Sequence, residues 1–280
     1  MAAKVYSFNV GDWDCTALSD GGGSRPIATL VKDVPADEVT RAMTAAGFPA
    51  ADWEQGFNCL TITDGTQRIL FDAGFGNFPG RPQGELSASL GAAGIAPADI
   101  DILVITHGDP DHVFGLIGPD GGLKYPGARY FVSLEAWEWY ASPKALDAMQ
   151  PEMAAFYRRL MPLLEPHLET VGEDRDILPG IRMVKAPGHR AGHMTVEIKS
   201  EGETLLHAAD ALLHPIFVRQ PEWLGAIDWK AEMAAATRRE IFAWAAEKDA
   251  LVFTAHLSFP GLGKILRIGN GWAWQPRGAE

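Results

Sequence analysis

An apolar run followed at once by two histidines and two aspartates stands out in this sequence. Ile102–Ile105 is apolar throughout, and the next seven residues are THGDPDH. A strand ending just before His107 would place that histidine at the edge of a sheet, and Pro110 suits the first turn of a short helix carrying Asp111 and His112. The segment therefore predicts a metal site built on a strand, a turn and a short helix.

Asp109, between the two histidines, has two interpretations. It has the right chemistry for a metal ligand, and it also precedes Pro110, where an aspartate is a good helix N-cap that accepts a backbone N–H. Asp111 would be favourable in the first turn of that helix, because the helix dipole attracts negative charge there. This segment alone leaves both interpretations open.

Three further apolar runs also lead into residues that bind metals. Ile181–Val184 precedes the segment APGHRAGH, which contains His189 and His193. Two later runs lead to Asp210 and His256. A single histidine at the end of a strand is more often structural than a ligand, but several such coincidences in one chain strengthen the metal hypothesis.

These residues resemble the pattern of the metallo-β-lactamase superfamily, which is HxHxDH, then a Pro-Gly-His and Gly-His repeat, then an aspartate at a strand end and a late histidine. One position departs, because Asp109 stands where the family has histidine. Ile69–Gly74 is similar to the family's early Asp-Ala-Gly turn. Ala255–Gly263 and Gly271–Trp274 resemble the branch that includes methyl parathion hydrolase and quorum-quenching-type lactonases. The resemblance implies an α/β fold, a four-layer α/β/β/α sandwich, in a single domain over residues 1–280.

The resemblance also implies a site for two divalent metal ions, which would be zinc, manganese or iron. One ion would be held by His107, Asp109 and His193, the other by Asp111, His112 and His256, and both would be bridged by Asp210. By the same comparison His189 is not a ligand and lies beside the site or at the surface. Asp72 resembles a residue that supports the ligands from behind, although an aspartate close before a glycine is also typical of turns.

An aspartate in place of histidine changes the charge of the expected site. Two divalent cations facing Asp109, Asp111, Asp210 and a bridging hydroxide would be close to neutral, whereas a histidine would leave about one net positive charge. The metals would then be weaker Lewis acids, and oxygen-rich ligation would shift the preference from zinc toward manganese or iron. A carboxylate here also resembles the flavodiiron branch, which keeps a di-iron oxidoreductase open.

Composition and charge limit the partners. Of 280 residues, 47% are hydrophobic and 21% are charged, which is enough for a sizeable core. The chain has 24 basic and 36 acidic residues and a formal charge of −12, which disfavours nucleic acids and anionic membranes. We expect a small-molecule substrate, no nucleic acid and no membrane. The sequence leaves a homodimer open.

The cysteines and the N-terminus indicate an intracellular protein. Cys15 and Cys59 form no ligand-like pair, so we expect two small buried residues rather than a disulfide or a thiolate site. The N-terminus has no apolar signal core, and no run of about 18 apolar residues predicts a membrane span. Cytoplasmic localisation follows as the expectation.

Strand-like and helical segments alternate along the chain. The predicted strands, with a hairpin turn at Gly65 between the first two, are Phe57–Thr63, Gln67–Asp72 and Asp101–Thr106. The predicted helices are Ala36–Ala46, Ser133–Tyr140, Pro151–Leu164 and Lys230–Glu247. The last of these has an apolar face of Ala234, Ile241, Trp244 and Ala245, with Arg238, Arg239 and Glu240 displaced from it. Loops that could wall a cleft are predicted at Gly21–Pro26, Phe75–Gly84 and Phe217–Asp228.

Several aromatic residues are candidates for an apolar substrate pocket. They are Phe75, Trp137 or Trp139, and Phe217 or Trp223. His214 lies four residues beyond Asp210 and could donate a proton or a hydrogen bond to a substrate oxygen. A supporting or surface role is the alternative for His214.

Together with the resemblance, these features predict a dinuclear metal-dependent hydrolase of a small, largely apolar ester, lactone or organophosphate-like compound. A metal-bridging hydroxide would be the nucleophile, oriented by Asp111, and His214 would be the acid. Two alternatives remain. One is a di-iron oxidoreductase, although the chain has no flavodoxin-like domain and no rubredoxin-like cysteine pairs. The other is a non-catalytic ligand-binding protein with a modified metal site.

Overall fold

The computed structural model describes residues 3–77 and 84–278. The strands are β1 (Val5–Val10), β2 (Trp13–Pro26), β3 (Val31–Lys32), β4 (Asp52–Thr63), β5 (Arg68–Phe71), β6 (Ile102–Ile105), β7 (Arg129–Ser133), β8 (Leu168–Val171), β9 (Arg175–Leu178), β10 (Ile181–Lys185), β11 (Met194–Ser200), β12 (Glu203–His207), β13 (Leu224–Gly225), β14 (Leu251–Phe253), β15 (Leu262–Ile268) and β16 (Gly271–Pro276). The helices are α1 (Ala36–Ala45), α2 (Leu86–Ala92), α3 (Pro110–Val113), α4 (Leu134–Ala141), α5 (Pro143–Ala148), α6 (Pro151–Leu164), α7 (Ile216–Arg219) and α8 (Ala231–Glu247).

Each half of the chain builds one large sheet. The first sheet has the strand order β1-β2-β4-β5-β6-β7-β8, and the second has the order β16-β15-β14-β12-β11-β10-β9. Strands β5, β6, β7 and β8 are parallel to one another, and β12 is parallel to β14, so helical crossovers connect these strands. A short antiparallel pair of β3 with β13 joins segments of the two halves.

The central strands are apolar on both faces. In β6, Leu103 and Ile105 belong to a core on the outer face of the first sheet, whereas Ile102 and Val104 belong to a core between the two sheets. In β14, Val252 belongs to a third core on the outer face of the second sheet. Successive side chains of a strand point to opposite faces, so a continuous apolar run is what a sheet covered on both sides requires.

Helices cover the two outer faces. Leu90 of α2 and Leu160 of α6 lie in the core outside the first sheet. Met43 of α1 and Phe242 of α8 lie in the core outside the second sheet. The layers are therefore helix, sheet, sheet and helix, and the predicted four-layer α/β/β/α sandwich is confirmed.

The element predictions agree with the structure in type, and the bounds agree within a few residues. The predicted strand at residues 57–63 is the second half of β4, and the helix Pro151–Leu164 has the predicted ends. Gly65 turns the chain between β4 and β5 with a φ of +87°, a conformation that favours glycine. Cys15 and Cys59 are buried and unpaired, as predicted.

The loop prediction at Gly21–Pro26 was wrong. These residues continue β2, and residues 22–26 pair with 52–56 of β4 after a register shift that follows Ser19. The irregularity lets a glycine-rich segment rejoin the sheet, which its composition does not signal. Of the predicted loop Phe75–Gly84, residues 78–83 lie outside the described residues. The segment Phe217–Asp228 contains most of α7 and all of β13.

Helix α8 differs from its prediction at one position. Ala234 and Ala245 are buried as expected, but Arg238 is also buried, with 2% of its surface exposed. Its guanidinium lies 3.4 Å from the Asp228 carboxylate and 4.1 Å from the centre of the Phe217 ring. A buried charge needs such a partner, and nothing in the helical pattern announces one. Among the described residues, no helix has the length and apolarity needed to cross a membrane.

Candidate metal centre

The THGDPDH segment lies where β6 passes into α3. His107 is fully buried just beyond the strand, and Pro110 opens the helix. Asp109 is at the N-cap position, but its side chain makes no capping hydrogen bond, so the helix-cap interpretation of its carboxylate was wrong. Gly108 allows the Tyr140 ring to pack closely on this segment, because a Cβ there would lie 2.3 Å from the ring.

The second sheet contributes three more side chains. Asp210 lies in a short 3-10 turn after β12, which the chain enters through Ala209 at a φ of +46°. His256 follows β14, and the parallel pairing of β12 with β14 brings both residues to the same edge. His189 lies in the turn after β10.

These side chains form a first group of possible metal ligands, His107, Asp109 and His189, and a second group, Asp111, His112 and His256. His107 and His112 also form a group with Asp210, which lies between the other two. In the first group, Asp109 Oδ2 lies 3.8 Å from His107 Nε2 and 3.7 Å from His189 Nε2. In the second group, Asp111 Oδ2 lies 3.6 Å from His112 Nε2 and 3.5 Å from His256 Nε2. Each group offers two imidazole nitrogens and one carboxylate oxygen.

Asp210 lies between the two groups and contacts both. Its Oδ2 atom lies 3.2 Å from His189 Nε2 and 2.9 Å from His256 Nε2. Its Oδ1 atom lies 3.2 Å from His112 Nε2. A carboxylate in this place has the geometry of a bridge between two cations.

Each of the four imidazoles in these groups is held from behind through Nδ1. The partners are Thr106 Oγ1 at 3.1 Å for His107, Asp72 Oδ2 at 2.8 Å for His112, Asp228 Oδ1 at 2.8 Å for His189 and the Gly56 carbonyl at 3.0 Å for His256. Hydrogen bonds of this kind orient the rings of metal-binding histidines and leave Nε2 free for the ion. Asp72 thus supports the site from behind, as the resemblance implied.

Several buried polar atoms that face the space between the ligand side chains have no hydrogen-bond partner among the described residues. They are Nε2 of His107, His112 and His189 and Oδ1 of Asp210. Leaving such atoms unpaired in the interior costs about 1–3 kcal/mol each. Imidazole nitrogens and carboxylate oxygens are ligands of zinc, manganese and iron, so this donor set fits divalent cations.

His193 does not have a free ring nitrogen. Its Nδ1 donates to the Ala186 carbonyl at 2.8 Å, and its Nε2 accepts a hydrogen bond from the Asp210 backbone N–H at 3.1 Å. These hydrogen bonds favour His189, and not the expected His193, as the candidate ligand. His189 faces the first group, while the His193 ring accepts the backbone N–H of Asp210.

Protons on the imidazoles balance the buried carboxylates in the protein alone. Burial opposes a charge on His189, but the nearby carboxylates of Asp109, Asp210 and Asp228 raise the pKa of His189 to about 10. Burial also opposes a charge on His112, but the Asp72 and Asp210 carboxylates raise its pKa well above the usual value. Burial and the nearby His112 lower the pKa of His107. Cations that bind here would take the place of these protons.

The metallo-β-lactamase superfamily model matches residues 56–256. This chain belongs to the metallo-β-lactamase superfamily. The match begins at Gly56, whose carbonyl holds His256, and ends at His256 itself, so it contains both groups and Asp210. No curated protein matches the sequence.

Three solved structures are similar to this chain. AidC, a dizinc quorum-quenching lactonase, has 23% identity and a TM-score of 0.88, with 99% of each chain covered. The hydrolase AbOPH has 26% identity and a TM-score of 0.87, with 100% of this chain and 99% of its own covered. An N-acyl homoserine lactone hydrolase with N-hexanoyl-L-homoserine at its catalytic metal centre has 16% identity and a TM-score of 0.62, with 91% and 94% covered.

His214 lies in an apolar environment. Its ring packs against Phe48 at 4.8 Å and Trp53 at 6.0 Å between ring centres, and its Nδ1 accepts the Ile216 backbone N–H. Burial lowers the pKa of His214 to about 4, so the ring is neutral at neutral pH. A neutral imidazole is a poor proton donor, which argues against the expected role of His214 as the acid.

The pocket candidates have different surroundings. Phe217 is fully buried beneath Arg238, and the Trp223 carbonyl accepts a hydrogen bond from Arg238, so both belong to the core beside α8. Trp137 packs on the core outside the first sheet. Phe75 is nearer the site, because it packs at 4.7 Å on Phe57, whose ring lies 5.6 Å from His256.

Sequence reasoning missed four residues around the centre, namely Arg190, Asp228, Trp229 and Asp20. Arg190 pairs with Asp109, and Asp228 pairs with His189. Trp229 is half exposed beside Arg190. The Asp20 carboxylate accepts the backbone N–H groups of Phe75 and Leu86. Arg190 next to His189 was the one signal available in the sequence, since the other partners come from distant segments.

Proposed function

We propose that this chain is a dinuclear metal-dependent hydrolase of a small, largely apolar ester, lactone or organophosphate-like substrate. The observation that supports this most is the pair of ligand groups bridged by Asp210, with buried Nε2 atoms that lack partners. The similarity to AidC and to a lactone hydrolase favours a lactone within this class. Two divalent ions, when bound, would supply Lewis acidity and an activated water.

The side chains of the centre have separate tasks in this proposal. Asp210 holds the two positions at a fixed separation, and the imidazoles are kept in place by their Nδ1 partners. Asp111 and Asp109 are the most exposed members of the two groups, at 14% and 16% of their side-chain surface. Substrate therefore approaches along the edge formed by these two carboxylates, where Asp111 is placed to orient water or accept its proton.

Aromatic side chains lie at both ends of that edge, buried at one end and partly exposed at the other. Phe57 packs against His256 beside the second group, and Phe75 packs on Phe57. At the other end, the exposed Trp229 lies 5.2 Å from Trp139 between ring centres and beside Arg190. Aromatic side chains beside a polar centre are typical of sites for small, largely apolar molecules.

Metal analysis combined with a hydrolysis screen tests the proposal. Protein purified without added metal, and protein reloaded with zinc or with manganese without oxygen, would be assayed on lactones, aryl esters and phosphotriesters. We expect two ions per chain, about 4 Å apart by anomalous diffraction, and turnover of at least one substrate. His256→Ala should abolish turnover, whereas His167→Ala, at an exposed histidine far along the chain, should not.

Two results would contradict the proposal. A protein that binds no divalent ion after reloading would favour a non-catalytic member of the fold. Activity confined to the iron form, with oxygen consumed and a reductant required, would favour an oxidoreductase, because hydrolysis needs no change of metal valence.

A further inference from the structure

Arg190 is bound to the carboxylate that departs from the family pattern. Its Nε donates to Asp109 Oδ1 at 2.7 Å, and one terminal nitrogen lies 2.7 Å from Asp109 Oδ2. The other terminal nitrogen donates to the carbonyls of His189 and Ile227. All three nitrogens are occupied, and the guanidinium faces the Trp229 ring at 5.4 Å, so Arg190 has one fixed position.

The paired carboxylate still faces the first group. Asp109 Oδ2 is the atom that lies 3.8 Å and 3.7 Å from His107 Nε2 and His189 Nε2. The other oxygen, Oδ1, is held by Arg190 and by the Tyr140 hydroxyl at 3.2 Å. Arg190 thus contacts both carboxylate oxygens and Tyr140 contacts Oδ1, which fixes the carboxylate with Oδ2 facing the Nε2 atoms of His107 and His189.

The pair also changes the charge of the first group. Aspartate alone would add one negative charge, but with Arg190 in bidentate contact the pair is neutral. Only 14% of the Arg190 side chain and 16% of the Asp109 side chain are exposed, so water screens the two charges weakly. Toward a cation, the pair therefore behaves more like one neutral ligand than like a carboxylate.

We propose that Arg190 is a positioning residue of the first metal position: it fixes Asp109 with Oδ2 toward the ion and cancels the charge of that carboxylate. This inference rests on the proposed metal centre. It corrects the expectation from Asp109 alone, in which the extra carboxylate makes the site nearly neutral and its metals weak Lewis acids. With Arg190 included, the first position has the charge that a neutral ligand would give it.

Zinc titration of the metal-free chain, in competition with a chromophoric chelator, tests the inference because it gives the affinity of each position without an assay of activity. The variants are Asp109→Asn, Arg190→Gln, Arg190→Lys and the double variant Asp109→Asn/Arg190→Gln. Arg239→Gln is the matched control, because Arg239 of α8 forms an exposed ion pair with Glu222 and contacts neither ligand group.

Asp109→Asn should weaken the first position by about 100-fold, because it leaves a cation uncompensated near the ion. The second position should change by less than about threefold. The double variant should bind the first ion at least about tenfold more tightly than Asp109→Asn, because the uncompensated cation is gone. Arg190→Lys should keep two ions per chain, with a weaker first position, because a lysine cannot make the bidentate contact.

A double variant as weak as Asp109→Asn, or a first position that Asp109→Asn does not weaken, would overturn the inference. Equal weakening of both positions together with a lower unfolding temperature of the metal-free chain would indicate general damage to the fold, and would also overturn it. Failure of the unchanged protein to bind zinc would overturn the proposed function itself, which separates the two outcomes.

Discussion

His189 and His193 are four positions apart in one turn, but hydrogen bonding gives them different tasks. The Nδ1 atom of His189 is held by Asp228 and its Nε2 is free, while both nitrogens of His193 bind backbone atoms. The choice between them depends on the direction of two side chains in a glycine-containing turn. A pattern of residue types contains no information about those directions.

Substitution at these two histidines should have different effects. We expect His189→Ala to reduce bound metal from two ions to one and to lower kcat/KM by at least about 100-fold, because the first group loses a ligand. We expect His193→Gln to keep two ions, because its amide can replace at least one of the two backbone hydrogen bonds, and to lower the unfolding temperature by a few degrees. Metal analysis, kinetics and thermal unfolding measure these effects. Loss of one ion from His193→Gln with full occupancy in His189→Ala would reverse the assignment.

The part of the site that sequence could predict is the part that follows strand ends. His107, Asp210 and His256 each come after an apolar run, and strands of a sheet bring such residues to one edge. The charge of the site could not be predicted in this way, because Arg190 comes from a segment 81 residues beyond Asp109. An argument from Asp109 alone therefore had the wrong net charge.

The last residue of β12 shows a histidine in a purely structural place. His207 is stacked 5.4 Å from the Phe71 ring and 5.0 Å from the Phe253 ring, and neither of its nitrogens has a hydrogen-bond partner among the described residues. Burial lowers the pKa of His207 to about 4. The ring is therefore neutral at neutral pH and contributes to the core between the sheets as an aromatic residue.

His207 should make the chain sensitive to acid. The pKa of His207 is about 4 in the folded chain and 6.5 in the unfolded chain, so folding favours the neutral ring. This preference contributes fully to stability above pH 6.5, and the contribution is lost as the pH falls from 6.5 toward 4. The loss amounts to roughly 3 kcal/mol in the free energy of unfolding. His207→Phe, or His207→Leu if the larger ring does not fit, should remove the contribution of His207 to the pH dependence of the free energy of unfolding. Denaturant unfolding of the metal-free protein from pH 7.5 to 4 measures this dependence. An unchanged pH dependence in both variants would contradict the role of His207, and His167→Ala is the control.

Strands and helices with a clear apolar periodicity could be predicted from the sequence. A strand with a register shift and a helix with a buried charged residue could not be predicted fully. β6 and the helix α6 follow from apolar periodicity alone. The end of β2 could not be predicted in this way, because its glycine-rich composition is typical of a loop although it pairs with β4. The burial of Arg238 in α8 could not be predicted from periodicity either, because it depends on the ion pair with Asp228 from the preceding loop.

The two sheets meet at the metal centre, since each ligand group takes residues from both halves of the chain. His107 and Asp109 come from the first half and His189 from the second, and His256 completes Asp111 and His112 in the same way. An ion bound in either group would therefore link the two sheets. Ligands that bind only the folded state stabilise it by mass action.

Removal of the metals should lower the stability of the entire fold. At a free metal concentration about 1,000 times Kd, each site contributes about 4 kcal/mol, so we expect a chelator that removes both ions to lower the unfolding temperature by roughly 20 °C. Calorimetry with and without chelator measures this shift, and a single transition in both scans would support the prediction of one domain over residues 1–280. His256→Ala should show a smaller shift. Equal unfolding temperatures with and without chelator would contradict the proposed link.

The order of the strands along the chain has a practical consequence. The first sheet is built from the stretch of chain that contains β1 to β8, and the second from the stretch that contains β9 to β16; β3 and β13 form a separate short pair between the two stretches. The covalent connection between the stretches is the exposed turn at residues 172–174. A gene divided at this turn would encode two polypeptides, each with one complete sheet and an incomplete set of ligands. Neither fragment could hydrolyse substrate alone, and reassembly through the core between the sheets would restore the centre. Turnover would then report that the two polypeptides had met, which makes this chain suitable for a split-enzyme sensor.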